Sequence, residues 1–260
     1  MEMLSNILPH NRLSERVPTN RAVTALAPQA SSNDISPTEC FPLSETGEHQ
    51  LDATYLTKHR VVAFNPRHRI SRAYDMLRNE LVGQQPSGSR YMIAVTAPGP
   101  GCGTSTTAFN LAFSFARLVI GPIALIEANP SSNASQDLFG MDLPPEHAGK
   151  GHHLAIEAAG VRLHLLKPHA NAYDYSTGSS LLSEAIEDLT QTLTPKVVIL
   201  DLPPILHADL TAQMLANVQS TVLVIAANKS TRGDFEVCRT YFQSGQQLQV
   251  VLNEARGHGL

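Results

Sequence analysis

Short apolar runs alternate along this chain with stretches of helical periodicity. Tyr91 to Thr96, Pro122 to Glu127, Lys196 to Leu202, Ser220 to Ala226 and Leu248 to Leu252 are nearly continuous in aliphatic residues. That is the pattern of strands buried on both faces of a parallel sheet. Val161 to Leu166 alternates as a strand does. Between them, apolar residues recur at helical spacing over Ile70–Leu81 (Ile70, Ala73, Tyr74, Leu77, Leu81) and after Gly103 (Phe109, Leu111, Ala112, Phe115, Ala116, Val119). They do so again over Leu181–Leu193 (Leu182, Ala185, Ile186, Leu189, Leu193), and shorter helices are expected over Asp209–Asn217 and Asp234–Phe242. Val61–Phe64 reads as a short extended piece, and 84–89 and 129–153 as loops. Strand and helix in alternation predict an α/β fold, a doubly wound and mostly parallel sheet covered on both faces.

Residues 1–60 break this rhythm. Pro9, Pro18, Pro28, Pro37 and Pro42 punctuate a stretch rich in Ser, Thr, Asn and Glu with no sustained period. Such a segment buries too little apolar surface to offset its ordering entropy, which predicts a disordered arm over 1–60 and one domain over 61–260. The net charge of -4 over 260 residues argues against a general nucleic-acid or anionic-membrane surface. No apolar run approaches the length of a membrane-spanning helix, and the first residues lack a secretory pattern. Cys40, Cys102 and Cys238, odd in number and far apart, read as cytosolic thiols.

The chemistry gathers in Ala94–Ala112. An apolar strand turns through Gly99, Gly101 and Gly103 into a helix. Glycines let a backbone wrap an anion, and the helix start adds free N–H groups and partial positive charge. Gly101, Cys102, Gly103, Thr104, Ser105 and Thr106 are therefore the candidate phosphate cradle. A full phosphate loop carries lysine after its last glycine, followed by Ser or Thr on magnesium. Here Thr104 stands in the lysine position, with Ser105 after it. Asp201 closes an aliphatic run and sits at the mouth of the sheet, where a carboxylate holds Mg²⁺ or its water; alternatively it caps the next turn. Glu127 occupies a similar strand end, either orienting water or magnesium or serving as a plain strand-end acid.

Lesser signals carry bland readings. Cys102 lies near a helix start, which favours thiolate, yet a tolerated loop residue explains it as well. His147, His152 and His153 lie in the expected polar loop without partner cysteines and read as solvated. Lys58-His-Arg60 and Arg67-His-Arg69 are too small a basic field for nucleic acid. Tyr241, spaced with Val237 and Cys238, reads as core.

Taken in order, these pieces resemble the cytoplasmic kinase domain of bacterial tyrosine kinases, the capsular and exopolysaccharide branch of the MinD/ParA-type P-loop ATPases. The resemblance spans about residues 62–253. Arg72-Ala-Tyr-Asp-Met-Leu-Arg-Asn-Glu-Leu81 is similar to the family's Glu-Ala-Tyr-Arg-x-Leu-Arg-x-Asn-Leu helix. Pro100-Gly-Cys-Gly-Thr-Ser-Thr-Thr-Ala-Phe-Asn-Leu-Ala112 resembles Pro-Gly-Glu-Gly-Lys-Ser-Thr-x-x-x-Asn-Leu-Ala. Leu125-Ile-Glu-Ala-Asn129 takes the place of Leu-Ile-Asp-x-Asp, and Val198-Ile-Leu-Asp-Leu-Pro-Pro204 resembles Ile-Ile-Asp-x-Pro-Pro. Asn228-Lys-Ser-Thr-Arg232 and Val251-Leu-Asn253 match later landmarks.

The resemblance implies a protein-tyrosine kinase and ATPase fold with ATP or ADP and Mg²⁺ at the loop, Ser105 and Asp201 on the metal, and Glu127 and Asp201 in the catalytic positions. The departures weaken that inheritance. Thr104 replaces the lysine, Glu127-x-Asn129 replaces an Asp pair, and the family's oligomerisation charges Glu, Arg, Arg become Arg72, Asp75, Arg78. The C-terminal tyrosine cluster is absent from this sequence. Nucleotide binding should be weak or lost, with Lys229 a candidate substitute for the missing cation. The reading is a scaffold-like pseudokinase of exopolysaccharide synthesis and export. It would be cytoplasmic, held at the inner membrane by a co-polymerase or chain-length protein, open to homo-oligomerisation, and without nucleic acid or direct membrane insertion. The alternatives are an active divergent autokinase or ATPase, and a MinD/ParA-like positioning protein.

Overall fold

The chain divides into two units, 1–35 and 36–260. The computed structural model describes residues 44–83, 90–141, 151–168, 181–242 and 245–255, all in the second unit. The elements run β1 (Ser44–Gln50), α1 (Ala53–Lys58), α2 (Ser71–Val82), β2 (Tyr91–Thr96), α3 (Thr104–Ala116), β3 (Ile123–Glu127), α4 (Ala134–Phe139) and β4 (His152–Ala158). They continue with β5 (Val161–Lys167), α5 (Leu181–Leu193), β6 (Val197–Asp201), α6 (Asp209–Leu215), β7 (Ser220–Ala226), α7 (Arg232–Arg239) and β8 (Gln247–Asn253).

One eight-stranded sheet takes the order β1-β4-β5-β3-β6-β2-β7-β8. Every neighbouring pair is parallel except the antiparallel β4–β5 hairpin. The doubly wound α/β architecture expected from the pattern is the one adopted. Alternation along each central strand divides its residues between two cores. Ile93, Val95, Ile123, Leu125, Val197 and Ile199 pack with α1 to α4. Ala94, Ala124, Ile126, Val198 and Leu200 pack with α5, α6 and α7.

The sequence reading places the boundary of the arm too late. Residues 44–60 contain β1 and α1, and β1 is part of the sheet. β1 has no apolar residue to announce it, and it joins the sheet through backbone pairing with β4. Asp52 caps α1 by accepting from the Thr54 amide at 2.7 Å, and fully buried Leu56 anchors the helix. Residues 1–43 of the expected arm, and 84–89 of the expected loop, lie outside the described residues. The loop expected over 129–153 contains α4 and the start of β4. His152 and His153 are buried there rather than solvated, and His153 Nε2 lies 3.2 Å from His164 Nδ1. His147 lies outside the described residues.

Val61–Phe64 is a buried turn rather than an extended piece. One residue fixes it. Asn110, fully buried on α3, accepts from the amides of Val62 (2.7 Å) and Ala63 (2.9 Å). Its amide donates to the carbonyls of Arg60 (2.8 Å) and Thr106 (2.7 Å), so both ends of the side chain are used. α3 is buried over Thr107–Phe115 without a break, so this bond set joins the segment before α2 to the central helix.

Asn110→Ala should therefore leave buried backbone groups without partners, at about 1–3 kcal/mol for each such group. Urea unfolding should show a clearly lowered midpoint with an unchanged slope; a midpoint within error of the parent would refute the role given to Asn110.

Candidate functional site

The helix that follows β2 is almost wholly buried, so its N-terminus is delivered to a fixed place at the C-terminal edge of the sheet. The loop leading into it adopts left-handed backbone at Gly101 (φ 72°) and Gly103 (φ 87°), which glycine tolerates. A Cβ at Gly103 would also run into the side-chain amide of Asn253. Asn253, at the end of β8, donates to the Cys102 carbonyl at 2.9 Å. Lys229, after β7, donates to the Gly101 carbonyl at 2.7 Å and pairs with Glu254 at 3.3 Å. In a planar trans peptide the N–H opposes the C=O. Holding those two carbonyls turns the Cys102 and Gly103 amides the other way.

Beside the loop lies a cavity of about 760 Å³, lined by Gly101, Gly103, Thr104, Ser105 and Thr106 together with the segments 129–134 and 202–204 and His207. Neither Lys229 nor Asn253 lines it, and among its described lining residues there is no lysine or arginine. The loop residues proposed from sequence thus meet at one cavity, with the exception of Cys102. The Cys102 side chain is buried and turned inward, its Sγ 3.6 Å from Ser230 Oγ. Ser230 in turn accepts from the Ala226 amide, and Thr231 caps α7 in a reciprocal pair with Asp234. The landmark segment 228–232 is therefore the support behind the loop.

Strand register brings the two candidate acids together. Glu127 on β3 pairs with Asp201 on β6, and Asp201 pairs with Val95 on β2. Glu127 and Asp201 share the face that packs α3 and α4, because they continue the series Ile123–Leu125 and Val197–Ile199. Their surroundings differ. Glu127 receives the Ser135 amide at 3.3 Å from the start of α4; burial still raises its pKa, with Ser135, Lys167 and Ala134 acting against that rise. Asp201 is fully buried, and neither carboxylate oxygen has a hydrogen bond of good geometry. Burial is the main cause that pushes its pKa up to about 7; Glu127 adds to the rise and the nearby Ser105 hydroxyl reduces it. A buried carboxylate with empty lone pairs beside a glycine cradle suits a hard cation or its water. Asn129, in the place of the second acid, instead accepts from the Ser131 amide at 3.1 Å and closes a local turn.

Two other sequence readings change. Tyr241 is 42% exposed rather than core, as is Val237 at 49%, whereas Cys238 between them is buried, and burial pushes its thiol up to about 11. On α2, Arg78 is directed inward. It donates to Asp75 Oδ1 (3.1 Å), the Ser114 carbonyl (2.8 Å) and Ser114 Oγ (3.1 Å), and Arg117 shares the same Asp75 carboxylate. The reversal of charge at Asp75 has an internal use, binding α2 to the end of α3.

No protein-family model matches the chain, and no curated protein matches its sequence. Solved structures do. The chimerical protein CapA2B2 superposes with a TM-score of 0.61 at 18% identity, over 83% of this chain and 96% of that one. The kinase domain of the Escherichia coli tyrosine kinase ETK gives 0.55 at 17%, over 84% and 94%. The BceF tyrosine kinase domain gives 0.55 at 19%, over 81% and 93%. At such identities the likeness is one of fold, and it covers nearly all of each of these chains. Among the described residues no helix is long and apolar enough to cross a membrane.

The buried acid behind the loop sets a pH dependence. Asp201 holds its proton more tightly folded (about 7) than at its ordinary value of 3.8. The folded state therefore binds more protons in that window, and stability is fully present below about pH 4 and falls as pH rises towards 7. Asp201→Asn should flatten this slope and be the more stable protein at pH 8, by a difference on the order of a few kcal/mol. Parallel slopes for parent and variant in thermal melts from pH 5 to 8 would exclude it.

Proposed function

We propose that this chain is a nucleotide-sensing, kinase-like scaffold in which the phosphate cradle is kept and its cation is lost. The observation that carries the reading is the cavity itself: glycine loop and helix start line it, with Asp201 buried behind that lining near Ser105, while Thr104 fills the lysine position and no lysine or arginine is among its described lining residues. Gly101, Gly103 and Thr104 to Thr106 would take the phosphates of ATP or ADP, and Ser105 and Asp201 would take Mg²⁺. Bound Mg²⁺ would supply charge neutralisation on the phosphates. The chain's own part is to aim amides, hold the Asp201 carboxylate in place and exclude water from it. Phosphoryl transfer leans on cationic stabilisation of developing charge, so this site favours binding over turnover.

The resemblance noted in the sequence supplies the setting: an exopolysaccharide or capsule export system. There the protein would work in the cytoplasm, at the inner membrane through a co-polymerase or chain-length partner. With Asp75 in the place of the central cation and Arg78 committed to Asp75 and Ser114, an interface through α2 of the kind the resemblance implies has neither arginine to offer. A second reading, catalysis without the loop lysine, is favoured by one observation, the Lys229 ammonium on the Gly101 carbonyl. Its pairing with Glu254 and its place behind the loop favour a structural use.

Calorimetric titration of the full chain with MgATP and MgADP, run beside a phosphotyrosine assay, tests the reading. Weak binding without phosphotyrosine is expected. Thr104→Lys should tighten binding by about one to two decades, since a charge-assisted hydrogen bond contributes about 1.5–3 kcal/mol. No binding by either protein would overturn a nucleotide role; phosphotyrosine on the parent chain would establish the kinase alternative.

A further inference from the structure

The two edges of the sheet are treated differently. β1, on one side, carries a register break between Glu45 and Glu48, and exposed Glu48 pairs with Arg162 at 2.9 Å. A bulge and a charge are the usual defences of an edge strand. β8, on the other side, has neither. Its seven residues, Gln247-Leu-Gln-Val-Val-Leu-Asn253, pair with β7 in unbroken register and include no charge and no proline.

The outward groups of β8 can be assigned. Asn253 turns its carbonyl towards the neighbouring strand, accepting from Ala227 at 2.9 Å. In a parallel ladder the N–H and C=O of one residue face the same side, and alternate residues face opposite sides. Val251, Gln249 and Gln247 therefore also face β7, and Leu248, Val250 and Leu252 present their backbone groups outward. Their side chains lie on the α7 face, where Leu248 packs with the core while Val250 (49%) and Leu252 (61%) are exposed. Val237 of α7 and Tyr241, two residues past its end, are exposed as well.

We propose that β8 pairs antiparallel with β8 of a second copy, joining two sheets across a two-fold axis at Val250. The strand is self-complementary in that arrangement. Val250 falls opposite its own copy, Leu248 opposite Leu252, and Gln247 opposite Asn253. These pairs match the outward residues to one another, and each opposed pair of outward residues exchanges both of its backbone bonds. The apolar side chains then meet on one face, and neutral polar residues lie at both ends. Glu254 falls opposite Gln246 and Ala255 opposite Gly245, so no like charges are opposed. An isologous contact of this kind closes on itself at two copies.

The full chain should elute with light-scattering mass twice 28.1 kDa. Val250→Lys opposes two ammonium groups at the axis and should yield monomer with an unchanged circular dichroism spectrum and a melting temperature that no longer depends on protein concentration. Val250→Cys should form an interchain disulfide under mild oxidation, because opposed residues of a hydrogen-bonded pair lie about 5.5 Å apart at Cα, within disulfide reach. Glu48→Cys on the opposite edge should not. A monomeric parent chain, a ring of higher mass, or a dimer that survives Val250→Lys would each overturn the proposal.

Discussion

Two donated hydrogen bonds hold the loop on which everything else in the site depends. Asn253 takes the Cys102 carbonyl and Lys229 takes the Gly101 carbonyl, so the outer strands β7 and β8 grip the glycine loop from behind. With those carbonyls engaged, the amides that could meet an anion are presented without any side chain being required to do so. The phosphate cradle proposed above would therefore need no lysine to keep its form: it is a backbone shape, held by residues outside the loop. Glycine at 103 is required for the same reason, since the Asn253 amide occupies the space a Cβ would need.

Around that fixed loop the chain distributes its polar groups unevenly. Asn110 is satisfied at both ends, Arg78 and Arg117 converge on Asp75, and Glu127 receives the start of α4. Asp201, fully buried, has no hydrogen bond of good geometry at either carboxylate oxygen. Burying such a group without a partner costs stability, and proteins retain that cost where a ligand repays it. The contrast between the two neighbouring acids separates their roles. Glu127 holds the start of α4, and Asp201, buried near Ser105, is the acid proposed above for a cation.

Much of this was legible from sequence because the central strands are apolar on both faces and the helices between them are periodic. β2, β3, β5, β6, β7 and β8 lie where the apolar runs place them, as do α2, α3 and α5. β1 was not legible, since Ser44–Gln50 has no apolar residue and is held by backbone pairing. β4 was hidden by the two histidines that open it, which are polar in composition yet buried in place. The loop residues and both acids were legible as motif positions. The clamp by Lys229 and Asn253, and the inward turn of Arg78, depend on contacts between residues far apart in the chain, 128, 151 and 36 positions away respectively. Spacing along the chain carries no trace of such pairings.

The central claim, a backbone cradle that still meets a nucleotide, is tested most directly at the amides themselves. Hydrogen exchange of the full chain, with and without saturating MgADP, should show slowed exchange confined to the peptide spanning Gly101–Thr106 and its neighbours at 129–134. Unchanged exchange there, with MgADP in large excess, would contradict the account and leave the loop a relic of shape alone.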